Sequence, residues 1–135
     1  MVLVFVVVFG TVIAALATSV QSGLKVVTAL RTQRSALYSA SAATDLAIEY
    51  LRADSTLANG VGASCPTVNT ASTSYMSAVT VTCQNVAGTA NVSRQIEFTA
   101  AVAGKTRIQA SVLIHDDTIV SGAPTVDVLS WTYVR

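Results

Sequence analysis

Charge is scarce in this sequence. Only 11% of its 135 residues are Asp, Glu, Lys or Arg, and the formal net charge is +1. Such a chain offers no basic stripe to a phosphate backbone, so it is not expected to bind nucleic acid by itself. Histidine occurs once and cysteine twice. His115 has no catalytic partner visible in the sequence, and no G-x-S-x-G elbow or phosphate loop appears. Cys65 and Cys83 lie too far apart for a C-x-x-C redox pair and bring no further zinc ligands. Aromatic residues make up only 6% of the chain and no haem attachment motif is present, which leaves an electron-conducting fibre without support. The expectation is a non-enzymatic protein with no cofactor. Proline is missing before Pro66, so nothing of that kind breaks a helix in the first half.

What the sequence does have is a long apolar opening. The first ionisable side chain is Lys25. The uncharged run before it spans about 24 residues, or about 36 Å as a helix, enough to cross the hydrocarbon core of a bilayer. A cleaved secretory signal would suit the small residues Ala15–Leu16–Ala17, but the positive n-region of a signal peptide is absent. A plain anchor meets a different difficulty. Lys25, Arg31 and Arg34 follow the run and would hold the C-terminal side in the cytoplasm, where a cysteine pair stays reduced. Removal of a short charged leader, leaving Met1 as the new N-terminus, would resolve the conflict.

Helical spacing continues past the apolar run. Val27, Leu30, Leu37, Ala40 or Ala43, Leu46, Ile48 and Leu51 recur with the period of an amphipathic helix. Helix formers dominate, and only Gly10 and Gly23 interrupt them. A single helix of about 54 residues is expected, from Met1 to about Asp54, apolar all round in residues 1–24 and amphipathic in residues 25–54.

Residues 55–135 read as a small head. The stretch STLANGVGASCPTVNTASTS is turn-forming and carries Cys65. Four strands are expected, over Tyr75–Gln84, Asn91–Ala103, Lys105–His115 and Thr125–Val134. Alternation places Val79, Val81 and Cys83 on the inner face, with Ile96, Phe98, Ala100 and Val102, and then Ile108, Ala110, Val112 and Ile114. For the last strand, Leu129, Trp131 and Tyr133 form the better inward set. The fold class is therefore α+β, with the second half of the helix covering the apolar face of an antiparallel sheet. A bond between Cys65 and Cys83 closes a loop of about 19 residues, worth about 3 kcal/mol, and places the head outside the cytoplasm.

Two short motifs compete with this structural account. His115, Asp116 and Asp117, with Ser121 nearby, are the one cluster suited to a metal, but calcium wants about six to eight oxygen ligands. A strand end entering a turn explains the acids equally simply, and no metal site is expected. Asn91-Val92-Ser93 matches the N-glycosylation acceptor pattern.

The processed apolar N-terminus, the continuous helix, the low-charge β head and the single downstream cysteine pair together resemble the type IV pilins and pilin-like proteins. More narrowly, ALRTQRSALYSASAATDLAIEYLRADS, VTVTCQ and the terminal VLSWTYVR look like the pilin-like proteins of actinobacteria. The resemblance implies a lollipop-shaped subunit of an extracellular, cell-surface filament, held in the cytoplasmic membrane before assembly. It also implies a helical homo-oligomer, a prepilin peptidase and an assembly ATPase as partners. Phe5, Val8, Phe9, Val12, Ile13 and Leu16 would pack the filament core. Ser22 and Gly23 would be the place where the helix breaks in the assembled state, since Gly weakens a helix by about 1 kcal/mol. One position departs from the family: Phe5 stands where most bacterial type IV pilins carry glutamate. A minor pilin or pseudopilin, or a monomeric membrane-anchored surface protein with a binding head, are the alternatives.

Overall fold

The computed structural model describes residues 2–73, 76–89, 92–116 and 124–134, with backbone alone for residues 2–9. One helix, α1 (Val2–Ala53), opens the chain without interruption. It ends where Asp54 offers the backbone an alternative to another helical turn. The Asp54 carboxylate accepts hydrogen bonds from the Thr56 amide at 2.9 Å and the Thr56 hydroxyl at 2.6 Å. Such local side-chain closure competes with helix continuation. The chain forms two compact units, Met1–Arg34 and Ser35–Arg135.

The second unit is built on a five-stranded sheet of β1 (Val68–Thr70), β2 (Val79–Thr89), β3 (Ser93–Val102), β4 (Lys105–His115) and β5 (Thr125–Tyr133). Every neighbouring pair is antiparallel and the strands lie in sequence order, a meander. The expected α+β class and the inner faces of β2, β3 and β4 are all present, since Val81, Ile96, Phe98, Ile108, Val112 and Ile114 are fully buried. Between β3 and β4 the chain reverses in two residues, Ala103 (φ 50°) and Gly104 (φ 73°). Positive φ at both positions gives the turn whose twist matches the flanking strands. Alanine accepts this conformation at some steric cost; glycine accepts it freely.

Three expectations are corrected. The sheet has five strands rather than four, because the presumed loop contains β1. This strand pairs Val68, Asn69 and Thr70 with Val81, Thr80 and Val79, and Thr70 Oγ1 accepts a further bond from the Val79 amide at 3.1 Å. β2 begins only at Val79 and continues past Gln84 to Thr89, beyond a bulge between Asn85 and Ala87. Tyr75 and Asn91, the expected first residues of two strands, lie outside the described residues.

The last strand is corrected at Leu129 and Tyr133, both exposed. Ser111 pairs with Ser130 while Val112 pairs with Val128, so Leu129 is the extra residue of a bulge. One inserted residue switches the face of everything before it. Trp131 and Val126 are the residues of β5 that pack on the core.

The buried helix stripe is the third correction. Val27, Leu30 and Leu46 are exposed. The stripe starts at Ala36 and continues through Ala40, Ala43, Ala47, Ile48 and Leu51, with Ser39 and Thr44 buried among them. These positions keep the i, i+3, i+4, i+7 spacing of one helix face, but small residues fill most of them. Ala40, Ala43, Ile48 and Leu51 are buried as expected, and the periodicity misses only Ala36 and Ala47 among the buried apolar residues of the stripe. The two buried hydroxyls turn back on the helix itself, Ser39 to the Ser35 carbonyl at 2.8 Å and Thr44 to the Ala40 carbonyl at 2.8 Å.

Candidate functional site

From Gly10 to Arg34 every residue of α1 is exposed. The exposed side chains include Val12, Ile13 and Leu16, each with half or more of its surface accessible, and Val20, Leu24, Val26, Val27 and Leu30 beyond them. An apolar surface of this extent is unusual on a free monomer. By length and composition α1 can cross a membrane, with a mean hydropathy of 1.4 over its most apolar window. Phe5, Val8 and Phe9 belong to α1, but their side chains lie outside the described residues.

Four hydroxyls in this segment are closed on the helix. Thr18 Oγ1 donates to the carbonyls of Ala14 and Ala15 at 3.1 and 2.9 Å. Ser22 Oγ donates to Ser19 O at 2.9 Å, and Thr28 Oγ1 to Leu24 O at 2.9 Å. Thr32 Oγ1 donates to Thr28 O at 3.0 Å. Hydroxyls bonded this way ask nothing of a surrounding apolar medium. The helix runs through Ser22 and Gly23 in the single chain. A Cβ added to Gly10 or Gly23 would meet nothing within 4 Å, so no contact within the chain requires either glycine.

The expected disulfide is present: Cys65 and Cys83 are bonded, with Cα atoms 5.5 Å apart. It fastens the loop after α1 to the middle of β2, reinforced by the Cys65 amide donating to the Cys83 carbonyl at 3.2 Å. Asn85 holds the same loop from the next turn of chain. Its buried side chain donates to the carbonyls of Ala58 at 2.9 Å and Gly88 at 3.3 Å, and accepts from the Ala87 amide at 3.1 Å.

His115 and Asp116 do not act together. His115 Nε2 lies 3.0 Å from Asp127 Oδ2 on β5. Asp116 is fully buried and bidentate to Arg94, with Nε–Oδ2 at 2.6 Å and Nη2–Oδ1 at 2.8 Å. Asp117 and Ser121 lie outside the described residues. Among the described residues no three His, Cys, Asp or Glu side chains gather as metal ligands.

Arg94 is the functional-looking residue that pattern reading missed. Besides Asp116, its guanidinium donates to the Leu51 carbonyl at 3.1 Å and to the Leu57 carbonyl. One cation thus joins the last turn of α1, the following loop, β3 and the end of β4. The Leu51 carbonyl is among those a helix end leaves without an intrahelical partner. The signal for this network was present. Arg94 shares the even-numbered parity of Ile96, Phe98, Ala100 and Val102, and a cation on the inner face of a strand demands a buried partner.

The outer face of the sheet is polar. A shallow recess of about 280 Å³ lies over Glu97, Thr99, Gln109, Ser111, Ser130 and Thr132. Glu97 is its one ionisable lining residue. Comparison with known protein families, with curated proteins and with solved structures finds no match for this chain.

Proposed function

We propose that the chain is a structural, non-enzymatic subunit of an extracellular type IV pilus-like filament, assembled through its N-terminal helix. Before assembly, the apolar half of α1 lies in the membrane. One observation carries the reading: residues 10–34 are exposed throughout and rich in large apolar side chains, whereas residues 35–135 form a well-packed unit with its own core. A surface of that kind needs lipid or identical neighbours around it. The Cys65–Cys83 bond suits a head that lives in an oxidising compartment.

In this reading Phe5, Val8, Phe9, Val12, Ile13 and Leu16 pack the filament core. Phe5 in place of glutamate means that subunits associate there by apolar contact and not through an ion pair with the neighbouring N-terminus. A prepilin peptidase and an assembly ATPase supply processing and work. The membrane-crossing length and hydropathy of α1 also favour a second reading, a monomeric membrane-anchored surface protein. A minor pilin or pseudopilin is the variant within the family.

Shearing separates these readings. Electron microscopy of material sheared from producing cells, with mass spectrometry of the subunit and its N-terminus, is expected to show uniform thin fibres of this chain. Recovery only from detergent-solubilised membrane, with no fibres, would replace the filament by the anchor.

A further inference from the structure

The acids of α1 stand only in its second half, Asp45 and Glu49, with Arg52 beside them. Up to residue 34 its charged residues are Lys25, Arg31 and Arg34, with no acid. Arg31 and Arg34 are exposed, three residues apart and so on one helix face, beside the exposed Val26, Val27 and Leu30. The second unit presents the complement. Asp45 and Glu49 are exposed and four residues apart, on the face turned away from the buried stripe of Ala43, Thr44, Ala47 and Ile48. Tyr38, Leu46 and Tyr50 flank them, 75%, 55% and 59% exposed. Glu49 also meets Arg52 of its own chain at 3.2 Å.

Two cations one turn apart, set in aliphatic surface, therefore match two carboxylates one turn apart, set in aromatic and aliphatic surface. We propose that these are the two sides of one contact between copies: the Val26–Arg34 segment of one chain docks on the Tyr38–Tyr50 face of the next. The contact rests on the filament reading and gives it a second, polar register alongside the apolar core. Arginine suits the role because its planar fork meets a carboxylate in two parallel bonds. A lipid headgroup would satisfy Arg31 and Arg34 equally well, but would leave Tyr38, Leu46 and Tyr50 uncovered beside their two acids. A second copy covers both surfaces at once. Because the two surfaces differ, the contact is head-to-tail, and such a contact propagates into an open assembly unless its rotation closes a ring.

The test uses cells producing two full-length variants together, Arg34→Cys and Glu49→Cys, treated with a short bis-maleimide. Mixed dimers containing one of each variant are expected at least about tenfold above the dimers formed by either variant alone. In parallel, reversing the basic pair (R31E with R34E) or the acidic pair (D45R with E49R) is expected to lower the yield of sheared fibres about tenfold, and combining all four is expected to restore it. Absence of mixed dimers overturns the contact. So does a fourfold variant that stays as poor as the basic-pair reversal, which would assign the arginines to lipid headgroups. Fibres without mixed dimers would defeat this contact and leave the filament reading standing. Mixed dimers in membranes of cells that make no fibres would do the reverse.

Discussion

The two stretches of α1 invert the usual relation between size and burial. In residues 35–53 one face of the helix is covered, and most of what it buries is small: Ala36, Ala40, Ala43 and Ala47, with Ser39 and Thr44 closed on their own backbone. In residues 10–34 the helix carries valine, leucine and isoleucine, and all of them are exposed. Small side chains let a helix approach a sheet closely, and a close approach sustains dense packing with modest apolar area. Large apolar side chains facing outward have no such cover among the described residues. The difference teaches that the covered stretch is shaped for a surface the chain itself supplies. The exposed stretch is shaped for one that it does not.

The strongest way to break this comparison is to charge the exposed stretch. Val12→Lys is expected to abolish fibres, since a charge at the centre of an apolar environment costs about 2.5–3.5 kcal/mol on insertion scales. Unfolding of the head, followed by the near-ultraviolet signal of Trp131, should remain within about 0.5 kcal/mol of wild type. Fibres of normal yield would mean that Val12 faces water in the working assembly.

The converse experiment strikes the head alone. Arg94→Met leaves Asp116 buried without its partner and frees the Leu51 carbonyl. A loss of about 3–5 kcal/mol in the head is expected from chemical denaturation, while membrane insertion of α1 persists. Asp116→Leu added to Arg94→Met should recover much of that loss, because two apolar groups leave no stranded charge. Failure to recover would show that the guanidinium's bonds to Leu51 and Leu57 matter more than the ion pair.

Replacing both cysteines by serine is expected to cost about 3 kcal/mol, again in the head and not in α1. Equal midpoints for the serine variant and the oxidised wild type in denaturant titrations would show that Asn85 and the backbone ladder already hold the loop.

The smallest effect lies at the end of α1. The Thr56 hydroxyl, and then the Thr56 amide, hold the Asp54 carboxyl below its ordinary value. A depressed folded pKa contributes stability above the unfolded value, and that contribution disappears as pH falls through the folded one. Below about pH 4 the last turn of α1 should loosen slightly. Thr56→Val should remove most of that pH dependence, as read from backbone amide shifts near Asp54. An unchanged profile would assign the effect to another acid.

Much of the fold is legible from alternation and periodicity. The even-numbered residues of β3 and β4 are inward as their pattern requires, and the helix stops where Asp54 begins its local turn. The misses share one cause: each depends on an event that shifts or disguises a pattern. The bulge at Leu129 switches the face of β5, and three residues are too few for β1 to show alternation. Ala36 and Ala47 belong to the buried stripe of α1 without the size that marks Ile48 and Leu51. Arg94 in β3 and Asp116 just after β4 keep the even-numbered parity of the inner faces, and their polarity disguises it. Of the candidate surface, Val12, Ile13 and Leu16 lie in the uncharged run that the sequence displays openly, and they are exposed.

One consequence follows from the hydroxyls of residues 10–34. Thr18, Ser22, Thr28 and Thr32 satisfy themselves on carbonyls of their own helix, so these bonds need not be remade when the surroundings change from hydrocarbon to protein. For these four hydroxyls, exchanging one apolar contact surface for another involves no polar rearrangement. In the filament reading, the direction in which such a helix travels is set by whatever does work on the chain.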